Sequence, residues 1–341
     1  MSHTVRIDGS ELSFACEPGQ SLLDAGLKAG IEMPYSCRKG VCGNCAGSVT
    51  AGEVRGIGGV SPVNPTCAPD QVLLCRCEPL GDVVLRPMSW HRINPADRKT
   101  FKVKVYRNSL AAPDVSILQL RLPPGQRAKF KAGQYLQIAL DDGSVRSYSM
   151  ANPPHESDML TLHIRHVPDG RFSAALPALK QGDALKVELP LGTFSLADSD
   201  KPLVFVAGGT GFAPIKAILD DLAKRGDARA IKLYWGARRA DGLYLPAAVE
   251  KWRKQLPGFR YVAALSEGPA SAGAEANTDL ATDAYQGPVH DALLSDGASL
   301  AGHELYCCGS PPMVQAVRDA AIGLGLAPGD FHSDVFVSGP R

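Results

Sequence analysis

The sequence predicts a chain of three units: an α+β unit, then an antiparallel β-barrel, then a parallel α/β unit. Three observations carry that order. Between Val5 and about Pro87, short alternating strands surround a single helical segment, Ser21-Leu22-Leu23-Asp24-Ala25. From about Thr100 to Asp198, strands of alternating apolar and polar residues follow one another at barrel-like spacings. Beyond Lys201 the pattern becomes buried strand, glycine turn and amphipathic helix, repeated several times.

In the first unit Ser21 suits an N-cap, because its hydroxyl can accept an amide that the first helical turn leaves unbonded. The unit is expected to span residues 1–90. Residues 91–99 are polar, contain a proline and lack periodicity, which predicts a linker. The barrel is expected over 100–198, with strands in K-V-K-V-Y, S-I-L-Q-L-R-L, Q-Y-L-Q-I-A-L, L-T-L-H-I-R-H and A-L-K-V-E-L. The α/β unit is expected over 199–341. Leu203 to Val206 form its first buried strand, and Phe212, Ile215, Ile218, Leu219 and Leu222 mark the apolar face of the helix that follows. Gly268 to Thr282, rich in Ala, Gly and Ser, reads as a surface insertion without chemistry.

Composition narrows the function. An apolar content of 45% over 341 residues suffices for several cores. A formal net charge of +1 leaves no global field to hold nucleic acid or an anionic membrane. Nine cysteines, an odd number, point to metal chemistry in a reducing compartment rather than a disulfide framework. The N-terminus M-S-H-T-V-R-I-D lacks an apolar signal region, and no apolar run reaches membrane-spanning length. A cytoplasmic protein is expected.

Cys37, Cys42 and Cys45 in P-Y-S-C-R-K-G-V-C-G-N-C-A-G have the C-x4-C-x2-C spacing of a plant-type [2Fe–2S] loop, with Cys75 or Cys77 of V-L-L-C-R-C available as a fourth thiolate. Gly40, Gly43 and Gly47 are expected to let the backbone approach the cluster and aim N–H groups at its sulfur atoms. A zinc knuckle is the alternative, but zinc ribbons prefer paired C-x2-C elements. Cys16 and Cys67 read as packing thiols.

Arg146-Ser147-Tyr148-Ser149 ends a barrel strand. Alone it reads as a polar strand end, but it resembles the flavin signature of the ferredoxin–NADP reductase superfamily, which implies a guanidinium forked onto a pyrophosphate, a phenol ring against the flavin and a hydroxyl at its hydride-accepting nitrogen. Gly208-Gly209-Thr210-Gly211, leading through Phe212 and Ala213 to Pro214, lies between a buried strand and a helix, the geometry that cradles a pyrophosphate. It is not G-x-G-x-x-G. Arg238 and Arg239 follow the strand I-K-L-Y-W-G-A where no acidic residue stands at the immediate strand end, so a 2′-phosphate and NADPH are expected, with NADH possible.

Taken in this order, the motifs cover nearly the whole chain and resemble the one-chain reductases of the ferredoxin–NADP reductase superfamily that feed multicomponent oxygenases. The resemblance implies a β-grasp [2Fe–2S] ferredoxin domain, a FAD-binding barrel and a NAD(P)-binding domain. It favours Cys75 as the fourth ligand, because Leu74 supplies the apolar residue before it. It places His163-Ile164-Arg165 on the adenylate side of FAD and has Gly170-Arg171-Phe172-Ser173 open a helix facing phosphate. It matches Cys308-Gly309-Ser310-Pro311 to the element beside the nicotinamide, with Phe336 over the flavin face. Ser149, Cys308 and Phe336 would then serve hydride transfer. The implied partner is a Rieske oxygenase. Another branch of the family serves pyridoxamine-phosphate dehydrases of deoxy-sugar synthesis, and a redox-sensing module that keeps the cofactors is a third reading.

Overall fold

The computed structural model describes residues 2–63, 67–267 and 284–337. The expected insertion from Gly268 to Thr282 lies outside them. Two compact units emerge: residues 1–98 with 192–194, and residues 99–191 with 195–341.

The first unit contains strands β1 (His3–Ile7), β2 (Ser13–Cys16), β3 (Ile31–Glu32), β4 (Ala46–Ala51), β5 (Val54–Gly56), β6 (Gln71–Leu73), β7 (Cys77–Pro79), β8 (Val83–Pro87) and β9 (His91–Arg92). Five of them form a mixed sheet in the order β2-β1-β8-β4-β6, in which β1 and β8 run parallel. Helix α1 (Leu22–Lys28) buries Leu22, Leu23, Ala25 and Leu27. Ser21 caps it as expected, its Oγ accepting the Asp24 amide at 3.0 Å, a contact worth about 1 kcal/mol. The segment read as a linker carries pairing of its own. β9 lies antiparallel to β3, and Asn94 caps a helical turn at Pro95–Asp97. Residues 192–194 belong to this unit because Thr193 Oγ accepts the Tyr35 amide and donates to its carbonyl, both at 3.1 Å, while the Gly192 amide donates to the Tyr35 hydroxyl.

The second unit begins with β10 (Lys99–Ala112), β11 (Val115–Arg121), β12 (Tyr135–Ala139), β13 (Val145–Ser149), β14 (Met159–Arg165) and β15 (Ala184–Leu191). All neighbours are antiparallel, in the order β13-β12-β15-β10-β11-β14, and a bridge from Met150 to Leu162 brings the two edges together. The expected alternation is what fills the barrel. Val103, Val105, Leu118, Leu120, Leu136, Ile138, Leu160 and Leu162 point inward together.

The remainder is β16 (Leu203–Gly208), α2 (Phe212–Arg225), β17 (Ile231–Ala237), α3 (Pro246–Gln255), β18 (Phe259–Leu265), β19 (Tyr285–Gln286), α4 (Val289–Ser295), β20 (Glu304–Gly309), α5 (Pro311–Gly323) and β21 (Phe331–Val335). The sheet is wholly parallel in the order β19-β18-β17-β16-β20-β21, with α2 packed on α3 and α4 on α5. The strand order reverses between β16 and β20, and ligands of such sheets bind at the carboxyl ends of the strands flanking that reversal. Gly208–Gly211 and Cys308–Pro311 stand at those two ends. No described helix is long and apolar enough to cross a membrane.

Candidate redox site

In the first unit the loop between β3 and β4 supplies Cys37, Cys42 and Cys45 and the turn between β6 and β7 supplies Cys75, and the four thiols form two pairs. Cys37 pairs with Cys42, and Cys45 pairs with Cys75. Within each pair one thiol bonds the other. The Cys42 contact and the amides of Lys39, Val41 and Cys42 hold the Cys37 thiol down to about 5. The Cys45 contact, helped by the Gly40 amide and Arg76, holds Cys75 below the ordinary thiol range. Cys77 and Cys16 are buried, and burial pushes their thiols up to about 12 and about 11. Among the described residues no three His, Cys, Asp or Glu side chains converge on a single-ion position. Two thiol pairs ringed by amide donors fit two irons bridged by sulfide better than one tetrahedral zinc.

Gly40 and Gly43 serve the loop as expected, with φ of 78° and 77°. Gly47 does not. It lies inside β4 opposite Pro87, where a Cβ would meet the Pro87 Cα at 3.1 Å, so its small size serves sheet packing instead.

In the second unit Ser149 ends β13 buried, its Oγ donating to Asp334 Oδ2 at 3.2 Å. Asp334 sits on β21 in register with Cys308 on β20, which in turn pairs with Ala207 on β16. Burial first, then the Asp334 charge, keeps the Cys308 thiol well above its ordinary range. Cys308 and Cys307 are both fully buried. The Phe336 amide donates to Gly309 O at 2.9 Å, which fixes the aromatic residue near the Cys308 strand end. Arg146 Nη1 bonds Val145 O on the barrel's edge strand, and Tyr148 lies 5.6 Å from Phe172.

The Gly209–Gly211 turn is a single 3-10 turn feeding α2. Trp235 Nε1 donates to Gly209 O at 3.1 Å, and a Cβ on Gly209 would lie 2.7 Å from Arg165 Nη2. Arg165, paired with Asp114, therefore sets a guanidinium against this turn. Two positions on the barrel side use their side chains otherwise than expected. Ile164 and Phe172 point into the barrel core, so they can meet a cofactor only through their backbone. Gly170–Ser173 opens no α-helix. Residues 171–175 form hydrogen-bonded turns and only Leu176–Ala178 is helical, as a 3-10 turn. Pro177, with no amide to donate, prevents the α-helical ladder from continuing. Ser173 Oγ spends its bonds on this loop, accepting the Val167 amide and bonding the Val167 carbonyl, and Arg171 pairs with Asp142.

Pro214 is buried in the first turn of α2, and Ser310 is exposed at the start of α5. Arg238 and Arg239 are exposed past β17. Glu267 past β18 approaches Arg238 at 3.6 Å and donates its amide to the Arg238 carbonyl, a pairing across neighbouring strands that the single strand end does not reveal. Asp334, Lys216 and Tyr244 were missed by motif reading because each lies far along the chain from the residue it bonds.

His163 is buried against Phe212 and Tyr244, its Nδ1 3.1 Å from the Tyr244 hydroxyl. Burial, then the Lys216 charge, brings its imidazole down to about 3, with Asp220 opposing. Its folded value is depressed, so between pH ~6.5 and ~3 the unfolded chain binds a proton that the folded chain refuses, and stability falls as pH falls, by about 1.4 kcal/mol per pH unit. Urea unfolding of the second unit at pH 6.5 and 5 is expected to differ by about 2 kcal/mol from this group alone. His163→Phe should remove that difference, and an unchanged acid limb would assign it elsewhere.

Family models match three consecutive segments: a 2Fe-2S iron-sulfur cluster binding domain over residues 5–80, an oxidoreductase FAD-binding domain over 102–196 and an oxidoreductase NAD-binding domain over 205–319. The chain belongs to the ferredoxin–NADP reductase-type oxidoreductases that join these three domains in one polypeptide. It is 55% identical over 341 residues to the reductase component 2 of terephthalate 1,2-dioxygenase from a Comamonas species, covering 100% of this chain and 99% of that one. It is 34% identical over 338 residues to the CDP-6-deoxy-L-threo-D-glycero-4-hexulose-3-dehydrase reductase of Yersinia pseudotuberculosis, covering 99% of each. A solved cytochrome P450 reductase from Amycolatopsis superposes with a TM-score of 0.77 at 31% identity over 98% of both chains.

Proposed function

We propose that this chain is the reductase of a terephthalate 1,2-dioxygenase system, taking electrons from NADPH and delivering them to a separate Rieske oxygenase component in the cytoplasm. The observation that carries the reading is the 55% identity sustained over the full length, against 34% for the deoxy-sugar reductases.

Bound FAD would accept a hydride and release its electrons singly to a [2Fe–2S] cluster. The chain's own residues prepare each site for that. Cys37, Cys42, Cys45 and Cys75 would hold the cluster, and the amides of Lys39, Gly40, Val41 and Cys42 would offset the charge on the thiolates. Arg146 would anchor the FAD pyrophosphate, Tyr148 would support the ring, and Ser149, oriented by Asp334, would present its hydroxyl at the reacting nitrogen. Gly209, Thr210 and Gly211 would carry the nicotinamide nucleotide's phosphates at the start of α2, while Cys308 through Pro311 and Phe336 would bound the nicotinamide.

Arg238 and Arg239 would take the 2′-phosphate. The Glu267 contact is exposed and 3.6 Å long, so it weakens the preference without cancelling it. About a tenfold advantage of NADPH over NADH in kcat/KM is expected, roughly 1.4 kcal/mol. A preference for NADH would remove the arginines from this role.

The deciding experiment supplies the purified chain with NADPH and a terephthalate oxygenase and compares NADPH consumed with cis-dihydrodiol formed. Cytochrome c should be reduced without any aromatic compound, and terephthalate should be oxidised only when the oxygenase is present. Electron delivery to a CDP-sugar dehydrase but not to that oxygenase would transfer the assignment to the sugar pathway.

A further inference from the structure

We propose that Lys216 is a positioning residue that fixes the flavin-side strand end against the nicotinamide-side helix. The inference rests on the reading that hydride passes between those two elements. Lys216 lies in α2, which starts directly after the Gly209–Gly211 turn. Its ammonium reaches two partners in different parts of the unit. Asp220 Oδ2, one turn along α2, is at 2.7 Å, and the carbonyl of Ala151 is at 3.2 Å. Ala151 is fully buried two residues beyond Ser149.

The rest of the network explains why the contact is stiff. Asp220 is buried, and its other oxygen takes Lys251 Nζ at 3.1 Å and Trp252 Nε1 at 3.0 Å from α3. Trp252 Nε1 holds the carboxylate in place with either lysine removed, and the carboxylate in turn keeps the Lys216 ammonium directed at the Ala151 carbonyl. On the barrel side the Ala151 amide donates to Thr161 O at 2.8 Å, and Asn152 holds the next turn through the Thr161 amide and the carbonyls of Glu156 and Met159. The strand end is thus gripped from β14 by neutral bonds and from α2 by one charged bond.

A buried ion pair is a poor source of stability, since apolar replacements of similar volume often do as well. What an apolar side chain cannot supply is a donor that spans from α2 to a carbonyl on the barrel. A compact ammonium can aim separate protons at a carboxylate and a carbonyl, whereas a planar guanidinium fork presents its donors in one fixed plane. Lys216 thereby ties the turn that would carry the nicotinamide nucleotide to the strand that carries Tyr148 and Ser149, and small errors between reacting groups are costly to rate.

The test compares Lys216→Met with Lys251→Met, which removes charge from the same carboxylate without touching Ala151, in the full-length protein as isolated. Two readouts are taken: amide hydrogen exchange over residues 145–152, and NADPH-dependent ferricyanide reduction resolved into kcat and KM. Lys216→Met should exchange at least tenfold faster near Ser149–Ala151 and lose at least tenfold in kcat with KM within twofold, while Lys251→Met stays near wild type in both. If Lys216→Met does not fold, Lys216→Arg keeps the charge beside Asp220 and should still lose at least threefold in kcat. Wild-type exchange and kcat in the position-216 variant, or equal losses in both lysine variants, would overturn the proposal. A wild-type protein that no nicotinamide nucleotide reduces would instead defeat the functional reading, and the exchange comparison would still decide whether Lys216 holds the strand end.

Discussion

Cys75→Ala should yield a protein without stable cluster absorbance, while Cys77→Ala keeps it. The two thiols are separated by a single arginine, yet the chain turns between them. Cys75 bonds Cys45 and takes the Gly40 amide, whereas Cys77 begins β7 fully buried, its thiol raised chiefly by burial. Losing Cys75 removes an anionic ligand from one iron of the proposed centre, and a metal site missing a ligand loses the binding energy that had been folding energy. Losing Cys77 removes only a buried sulfur, a packing change of about 1 kcal/mol. Visible absorbance with iron and acid-labile sulfide content reads the outcome. Cytochrome c reduction should fall with the cluster in Cys75→Ala, while direct reduction of the flavin by NADPH persists. A full complement of iron and sulfide in that variant would remove Cys75 from the ligand set.

The contrast between Cys75 and Cys77 also marks what a sequence discloses. The cysteine loop, the strand ending at Ser149 and the Gly208–Gly211 turn were legible as local structure, because cysteine spacing, alternation and a strand-to-helix glycine turn are written in adjacent letters. The parallel sheet and the barrel followed from periodicity, and both folds are borne out. The polar residues behind the site were not legible. Asp334 reaches Ser149 across 185 positions and Lys216 reaches Ala151 across 65, distances that only sheet register and helix packing close. Glu267 approaches Arg238 because β18 lies beside β17, so reading one strand end by itself overlooked the opposing charge. Local reading also erred where packing took precedence over pattern. Gly47 looked like part of the cluster loop but is fixed by Pro87, and the Gly170–Ser173 helix was denied by Pro177.

Gly211→Ala should impair nicotinamide-nucleotide reduction by about 100-fold, although propensity alone predicts the reverse. Gly211 has φ −58° at the start of α2, a conformation alanine adopts freely, and such a change ordinarily stabilises by about 0.4–1 kcal/mol. The neighbourhood decides otherwise. A Cβ there would sit 2.2 Å from the Cys308 carbonyl oxygen and 2.6 Å from its carbon. Those are backbone atoms of β20, held between β16 and β21, and they cannot step aside as the end of a flexible side chain can. The turn must therefore move away from the Cys308 strand end, at an overpacking cost of about 1–3 kcal/mol. It would carry the phosphate-facing amides with it. Gly226 supplies the control. It terminates α2 at φ 68° with open space where a Cβ would go, so Gly226→Ala should cost about 1 kcal/mol through its left-handed conformation and leave turnover intact. In Gly211→Ala the flavin and cluster spectra should persist, because the barrel and the cysteine loop are untouched, while NADPH reduces the flavin slowly. Wild-type rate and KM in that variant would mean that the close approach of the turn to Cys308 does not set the nicotinamide's position.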